Sequence, residues 1–291
     1  MKSMKKLVLV GLVLLASVMV LVGCENAAGT GSSAEIITSE IGQVLTFSAD
    51  KEQILTVKTS NYTLHESLEY AVGNGDWQQL EDEKKIPFGG DVGSLRMRGK
   101  SSEGMATGNN SYARITFGND GVKVSCTGDI RTLIDYENPT KVDTSNAKFC
   151  KMFDDCKNLT RAPALPATEL ASQCYSFMFQ NCTSLTRAPA LPATELASQC
   201  YNNMFDGCTS LTRAPELPAT VLTPRCYEYM FQNCTSLNSV TMLATDISAE
   251  KCLYGWLSGV AGSGTFTKAS EMEGLPQGSS GIPPDWTVIN K

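Results

Sequence analysis

The pattern of hydrophobic and polar positions changes along the chain and divides it into three kinds of segment. An uncharged apolar run covers residues 7–22, short alternating segments fill residues 41–145, and from residue 152 the pattern repeats with a fixed period. No later run approaches the ~18 uninterrupted apolar residues of a membrane-spanning helix. The pattern therefore predicts a targeting segment, then a β-rich region, then a repeat array.

The alternating segments between residues 41 and 145 predict a small domain that resembles a β-sandwich. Turns rich in Gly, Asn and Asp separate them, as at residues 73–76 and 118–121. The predicted strands are Val44–Phe47, Ile54–Val57, Leu68–Val72, Leu95–Met97, Ala113–Phe117 and Val122–Ser125. Several short strands at this spacing are typical of two sheets packed face to face.

The C-terminal half contains four copies of a 26-residue unit, which begin at residues 152, 178, 204 and 230. The segment Thr160–Tyr175 recurs unchanged as residues 186–201. A period of 26 residues lies within the range of leucine-rich repeats. Because one coil cannot bury its Leu, Met and Phe side chains alone, stacked coils must share an interior. We therefore predict a solenoid over residues 146–255 and a C-terminal cap over residues 256–291.

Each copy has the L-x-x-L-x-L spacing of a strand whose alternate side chains face the interior. The predicted inward segments run from Leu159 to Ala164, Leu185 to Ala190, Leu211 to Glu216 and Leu237 to Met242. Pro163, Pro189 and Pro215 fall inside three of them, and proline cannot donate to a sheet ladder. We therefore expect an imperfect sheet of short strands, with turns or short helix in the Tyr-x-x-Met-Phe segment opposite.

The first 24 residues have the three parts of a bacterial lipoprotein signal peptide. Three lysines precede the apolar run, and the pair Gly23-Cys24 ends it in the manner of a lipobox. Lipid on Cys24 would anchor an exported protein to the membrane, so we expect cell-surface display. Residues 25–40, which are small and polar, predict a flexible tether. An ordinary signal anchor with a chance cysteine is the alternative.

Charge and motifs argue against several functions. The chain has a net charge of −6 and has no basic run outside the signal segment, which disfavours nucleic acid as a partner. Phosphate-binding, dinucleotide-binding, serine-hydrolase and zinc-protease motifs are missing from it. His65, the only histidine, is interpreted as a surface residue. The acidic pair Asp154-Asp155 and the acidic cluster at residues 81–83 are interpreted as solvated faces. The sequence predicts neither an enzyme nor a cofactor.

The eleven cysteines leave the redox chemistry open. With Cys24 assigned to lipid, ten remain, namely Cys126, Cys150, Cys156, Cys174, Cys182, Cys200, Cys208, Cys226, Cys234 and Cys252. They are interpreted as buried free thiols, as disulfides across short spacings such as 174–182, or as disulfides across long spacings such as 156–174. No pair has the short spacing of a zinc knuckle, so no metal site is predicted.

Three arginines recur at one position of the repeat and form a candidate binding ridge: Arg161, Arg187 and Arg213. They lie between inward positions, and adjacent strands are ~4.8 Å apart, so we expect their guanidinium groups to form a line. Guanidinium groups suit planar, bidentate contacts with carboxylates. The alternative interpretation is that the arginine stems only cover the apolar strand face.

Two further features bear on binding. The copies differ at residues 176–177, 202–203 and 228–229, and exposed variable positions often carry function in solenoids. Trp77 is the main aromatic candidate for a glycan contact, although a place in the core of the β-domain is the favoured interpretation.

The repeat unit A-x-x-C-Y-x-x-M-F-x-x-C-T-S-L-T-x-A-P-x-L-P-A-T resembles that of the BspA-like leucine-rich-repeat surface proteins of host-associated bacteria. The resemblance covers roughly residues 128–291 and includes the ending Gly281–Val288. It implies a surface-displayed module, and some members of the family are adhesins. We therefore expect a lipoprotein that binds a host or bacterial surface protein through its repeats. The alternative is a glycan-capture lipoprotein whose contact is the N-terminal β-domain.

Overall fold

Fourteen short strands make up most of the regular structure of residues 39–291, the part of the chain that the computed structural model describes. The 3-10 helices span only Gly90–Val92, Ile130–Leu133 and Pro139–Lys141. Within residues 39–291 no helix is long and apolar enough to cross a membrane. The predicted signal peptide, Cys24 and most of the predicted tether lie outside the described residues.

Nine strands precede the repeats, and each of the six predicted segments overlaps one of them. The nine are β1 Leu45–Ser48, β2 Gln53–Ser60, β3 Glu69–Val72, β4 Gln78–Gln79, β5 Ile86–Phe88, β6 Leu95–Arg98, β7 Ala106–Gly108, β8 Ser111–Phe117 and β9 Val124–Thr127. The three strands that were not predicted, β4, β5 and β7, have two or three residues each. Segments this short are not long enough to show an alternation in the sequence.

These strands belong to two sheets, with antiparallel pairing among β1 to β9. One sheet has the order β5-β2-β8-β7, and the other has the order β10-β9-β1-β6-β3-β4, where β10 is Leu159–Arg161 of the first repeat. The ring of Phe47 on β1 lies 6.5 Å from that of Phe88 and 6.3 Å from that of Phe117, both on the other sheet. It also lies 6.2 Å from the ring of Phe153 in the first repeat. The apolar interior is therefore continuous from the two sheets into the repeats.

The Tyr-x-x-Met-Phe segments form successive turns rather than helices. Along each segment, every second backbone N–H group donates to a carbonyl group of the same turn, and the N–H groups between them donate to carbonyl groups of the next coil. Met178 N, for example, donates to Tyr175 O at 3.1 Å, and Phe177 N donates to Asn202 O at 2.9 Å. This alternation satisfies the buried backbone donors without a helix. It also requires the left-handed conformation at every fourth residue, for example at Gln173, Phe177 and Asn181.

Recurring aromatic side chains stack in columns inside the array. The rings of Phe153, Phe179, Phe205 and Phe231 lie nearly parallel, with successive centroid separations of 5.4, 5.6 and 5.5 Å. A second column contains Tyr175, Tyr201, Tyr227 and Trp256. The leucines that open the predicted inward segments, Leu159, Leu185, Leu211 and Leu237, are fully buried. The repeating units therefore share one interior, as the period predicts.

The opposite side of the array is a parallel sheet that is complete only in its C-terminal part. Strands β11 Arg213–Leu217, β12 Ser239–Met242, β13 Gly264–Lys268 and β14 Trp286–Asn290 pair in order and form a β-solenoid of about three turns. In the first two coils the strand side has β10 and two isolated bridges, one between Asp129 and Ala164 and one between Arg161 and Arg187. The interruption agrees with Pro163 and Pro189, which lack a donor, whereas Pro215 lies within β11, whose pairing with β12 shifts register between Arg213 and Glu216. The last two strands continue the sheet through the segment predicted as a cap.

Glu216 departs from the predicted inward pattern, and that part of the prediction is wrong. Its side chain is exposed, and Lys291 Nζ donates to its carboxylate at 2.6 Å. The neighbouring Leu217 is buried, as are Leu165 and Leu191 at the equivalent position of the preceding coils. A lone carboxylate cannot enter an apolar interior without a large desolvation cost, so Glu216 faces solvent. Ala188 and Ala190, in the coil without a regular strand, are only half-buried.

Candidate functional site

The three ridge arginines occupy the strand side of three successive coils. Arg161 and Arg187 are partners in a parallel β-bridge, and Arg213 begins β11 in the next coil. Arg187 and Arg213 are exposed, and Arg161 is half-buried. The repeat spacing thus places one guanidinium group per coil on a common face.

Glu40 neutralises the first arginine of the ridge. Its carboxylate forms an ion pair with the Arg161 guanidinium, and its side chain is only 9% exposed. Burial raises the pKa of Glu40, while Arg161 and a hydrogen bond from the Gly128 backbone oppose that rise. The two residues are 121 positions apart, and Glu40 falls in the predicted tether. No local sequence signal could have identified this pair.

Two grooves lie between the arginine-bearing segments. The first has a volume of about 230 Å³ and lies between residues 160–164 and 186–190, with Glu40 at its edge. The second has a volume of about 820 Å³ and lies between residues 186–192 and 212–218. Within the described chain, no β-bridge joins these last two segments. The larger groove therefore runs beside an unpaired strand edge and is lined by Arg187, Arg213 and Glu216, whose carboxylate is paired with Lys291.

All ten cysteines outside the signal segment are buried free thiols, and neither predicted disulfide scheme is present. Four of them donate Sγ–H to backbone carbonyl groups at 3.0 to 3.1 Å, namely Cys156, Cys182, Cys208 and Cys234. Burial raises the pKa of Cys150 to about 11 and that of Cys226 to about 12. Because the thiolate is the nucleophile, these cysteines are unreactive packing residues.

Thiol labelling of the intact protein should therefore show almost no reaction at neutral pH. After denaturation, ten thiols should react if Cys24 carries a lipid, and eleven if it does not. Mass spectrometry of the iodoacetamide-treated chain, native and in guanidinium chloride, counts them directly. Rapid labelling of several cysteines in the native protein would contradict their burial. Fewer than ten labelled thiols in the denatured, unreduced protein would reveal disulfides.

Trp77 does not lie in the core of the N-terminal sheets, and the favoured interpretation of this residue is wrong. Its side chain is half-buried, with the Arg98 guanidinium carbon 4.0 Å from the ring centroid and that of Arg96 5.2 Å away. A guanidinium group over an aromatic face is favourable because the ring quadrupole attracts cations. The indole is therefore already engaged by arginines and is a poor platform for a sugar.

The remaining titratable candidates do not converge on one place. His65 is exposed, and its Nδ1 lies 2.7 Å from Ser67 Oγ. Asp155 is exposed as predicted, but Asp154 is half-buried and lies 3.3 Å from Arg114 Nη1. Burial raises the pKa of Asp154, and Arg114 opposes that rise. Among residues 39–291, no cluster of His, Cys, Asp and Glu could hold a metal ion.

Comparison with known proteins supplies no family for this chain. No protein-family model, no curated protein and no solved structure matches it. The chemistry of the arginine ridge and its grooves is consequently the basis on which a ligand can be inferred.

Proposed function

We propose that the chain is an exported, lipid-anchored leucine-rich-repeat protein that binds an acidic segment of a host or bacterial surface protein. The observation that carries the proposal is the row of Arg161, Arg187 and Arg213 along the two grooves. The 26-residue period and the buried leucine column support the leucine-rich-repeat assignment. The lysines, apolar run and Gly23-Cys24 pair support export and lipidation.

Charge complementarity favours a carboxylate-bearing partner. Glu40 already occupies Arg161, and this ion pair is an internal example of the contact proposed for the partner. Arg213 has no ion-pair partner among residues 39–291. A guanidinium group binds carboxylate through two parallel hydrogen bonds, which adds geometric specificity to the attraction. The unpaired edge beside the larger groove suits an extended peptide, which could add main-chain hydrogen bonds there.

The N-terminal β-domain remains the alternative contact, for a glycan, but it has less support. Trp77, which was its main aromatic candidate, is covered by Arg96 and Arg98. The continuous apolar interior between the N-terminal sheets and the first repeat supports a different role for this domain, which is to shield the first coil. Solenoids require such a terminal cap because their first coil would otherwise expose its apolar side.

The double variant Arg187→Ser/Arg213→Ser tests the ridge. The wild type is first tested against a panel of immobilised host matrix proteins, and the matrix protein that it binds most tightly is chosen as the ligand. We expect the double variant to bind that ligand with an affinity lower by about tenfold or more. Raising the salt concentration should weaken the wild-type complex because the contact is ionic. Surface plasmon resonance measures both effects.

Arg225→Ser is the matched control because Arg225 is also partly exposed but lies outside the ridge, where it pairs with Glu250. This variant should bind as the wild type does. Equal binding by the wild type and the double variant would remove the ridge from the proposal. Capture of none of the panel proteins by the wild type would count against a matrix partner.

A further inference from the structure

The turn side of the array, opposite the strand side, carries a second surface built from the variable residues. We call it the turn face and define it by the pairs Ser176–Phe177, Asn202–Asn203, Glu228–Tyr229 and Tyr254–Gly255, in which Phe177, Asn203 and Tyr229 are half-buried, Tyr254 is exposed and the other four residues are buried. Backbone hydrogen bonds of 2.9 Å join Phe177 N to Asn202 O, Asn203 N to Glu228 O and Tyr229 N to Tyr254 O. The four pairs therefore occupy equivalent places in successive coils.

Two aromatic residues on the turn face have a backbone conformation that disfavours them. Phe177 and Tyr229 have φ values of 57° and 54°, in the left-handed region. Asn203 and Gly255 fill the same place in the alternating coils, and Lys151 fills it in the coil before Phe177, with a φ of 58°. A bulky side chain in this region is an outlier, whereas Asn and Gly adopt it readily. The fold accepts Lys, Asn or Gly at this place, so the bulky rings at 177 and 229 are the residues that point to a function.

Each ring belongs to a small aromatic platform. The Tyr229 ring lies against Gly255, where an added Cβ would come within 2.6 Å of two ring carbons, and it meets the Tyr254 ring edge-on at 5.3 Å. Tyr254 is 48% exposed. At the other end, Lys151 Nζ lies 4.7 Å from the centroid of the Tyr112 ring and 5.4 Å from that of Phe177, which is farther than either guanidinium group lies from the Trp77 ring. The two platforms are two coils apart.

A hydrogen-bonded relay holds one polar group between the platforms. Asn203 Nδ2 donates to Asn202 Oδ1 at 2.8 Å, and Asn202 Nδ2 donates to Glu228 Oε2 at 2.9 Å. Asn202 and Glu228 are 5% and 8% exposed, whereas Asn203 is more accessible. The relay fixes the Asn203 amide, so its remaining donor and acceptor capacity is oriented before any ligand arrives.

We propose that the turn face binds a neutral oligosaccharide chain that lies across the coils. The C–H faces of two sugar rings would pack on Phe177 and Tyr229, and hydroxyl groups between them would bond to Asn203. Aromatic faces with a fixed amide between them suit a ligand that alternates apolar faces with hydroxyl groups. Glu228 beside Asn203 disfavours an anionic ligand, which separates this surface from the arginine ridge.

The test is isothermal titration calorimetry of the full chain. The protein is kept in detergent because residues 7–22 are apolar, and the detergent has no sugar headgroup that could compete with the probes. The probes are neutral β-linked hexasaccharides of glucose, xylose, mannose and N-acetylglucosamine, together with the corresponding disaccharides. We expect one hexasaccharide to bind at least about tenfold more tightly than its disaccharide, because only the longer chain reaches both platforms. Phe177→Asn and Tyr229→Asn should each weaken that binding about tenfold or more.

Both variants install the residue that the fold already accepts at position 203, so they should remain folded. Their melting temperatures should stay within about 4 °C of the wild-type value, because relief of backbone strain offsets the lost ring packing. Gln199→Asn is the control, since it changes another left-handed position without removing an aromatic ring, and it should bind as the wild type does. Absence of binding to every hexasaccharide, equal affinity for disaccharides, or undiminished binding by both variants would each overturn the proposal.

Discussion

Raising the pH above about 9 should unfold the protein over a narrow pH range. Burial raises the pKa of the repeat thiols above the ordinary value of 9.0, to about 12 for Cys226 and well above 9.0 for Cys182, Cys200 and Cys208. The folded state thus keeps the thiols protonated where the unfolded chain loses the protons. The contribution to stability is complete below the unfolded pKa and is lost as pH rises toward the folded pKa.

The expected size of this effect follows from the number of thiols. Each one that ionises only in the unfolded chain lowers the free energy of unfolding by about 1.4 kcal/mol for every pH unit above its unfolded pKa. The eight thiols with the strongest shifts, which are all of the ten except Cys150 and Cys252, together lose on the order of 10 kcal/mol per pH unit, against a total stability of about 5–15 kcal/mol for a typical domain. Buried tyrosines add to the loss at higher pH, because burial also raises the pKa of Tyr175 and Tyr201.

Urea unfolding followed by circular dichroism at pH steps between about 7 and 11, with a phosphine reductant present, measures the effect. The midpoint should be nearly constant up to about pH 8 and should then fall steeply. Cys208→Ala provides the control, because it removes one titrating thiol and should make the fall shallower even if it lowers stability at neutral pH. A midpoint that does not change up to about pH 10.5 would show that the cysteines are not buried thiols.

Replacing Phe205 with alanine should cost about 3–5 kcal/mol, among the largest losses that a single substitution produces. Phe205 is fully buried, and its ring stacks on Phe179 at 5.6 Å and on Phe231 at 5.5 Å. The substitution leaves a cavity at the middle of the column and weakens two coil interfaces. In a solenoid, stability is close to a sum of coil and interface contributions, so both losses count.

Thermal and urea unfolding of Phe205→Ala measure the loss, and a fall of roughly 10 °C in Tm corresponds to it for a chain of this size. Phe205→Leu retains most of the side-chain volume and should lose clearly less. The variant Val288→Ala changes an apolar residue that is 45% exposed on the last strand, and it should be nearly neutral. A loss below about 1 kcal/mol for Phe205→Ala would show that the phenylalanine column does not support the array.

Much of the architecture follows from local pattern. The six predicted strands before the repeats overlap observed strands, because alternating apolar residues and turn residues specify a half-buried strand locally. The prolines at 163 and 189 correctly indicated an interrupted sheet in the first two coils, but Pro215 did not prevent β11 from forming. The prediction that Glu216 faces inward was wrong because it extended the pattern of the other copies to a position where this copy has a carboxylate, which prefers solvent.

The candidate sites were less predictable. The arginine ridge could be found because its members recur at one period, yet the Glu40 partner of Arg161 comes from a segment with no pattern. The special status of Phe177 and Tyr229 depends on backbone dihedral angles. The recurrence of Asn and Gly at residues 181, 207 and 233 was a signal that left-handed positions occur in this segment. Aromatic residues rarely adopt this conformation, so nothing in the sequence indicated that Phe177 and Tyr229 have it.

The sequence by itself determined that the 26-residue units stack and share an interior, because apolar residues at a fixed period must be buried together. Only the tertiary structure decided that the ten cysteines are free, that arginines cover Trp77 and that Glu40 neutralises one end of the ridge. The physical reason is the range of the interactions. The pattern of buried and exposed positions can be recognised from residues that are close in sequence. Ion pairs, ring contacts and disulfides instead depend on distances between residues that the chain brings together only when it folds.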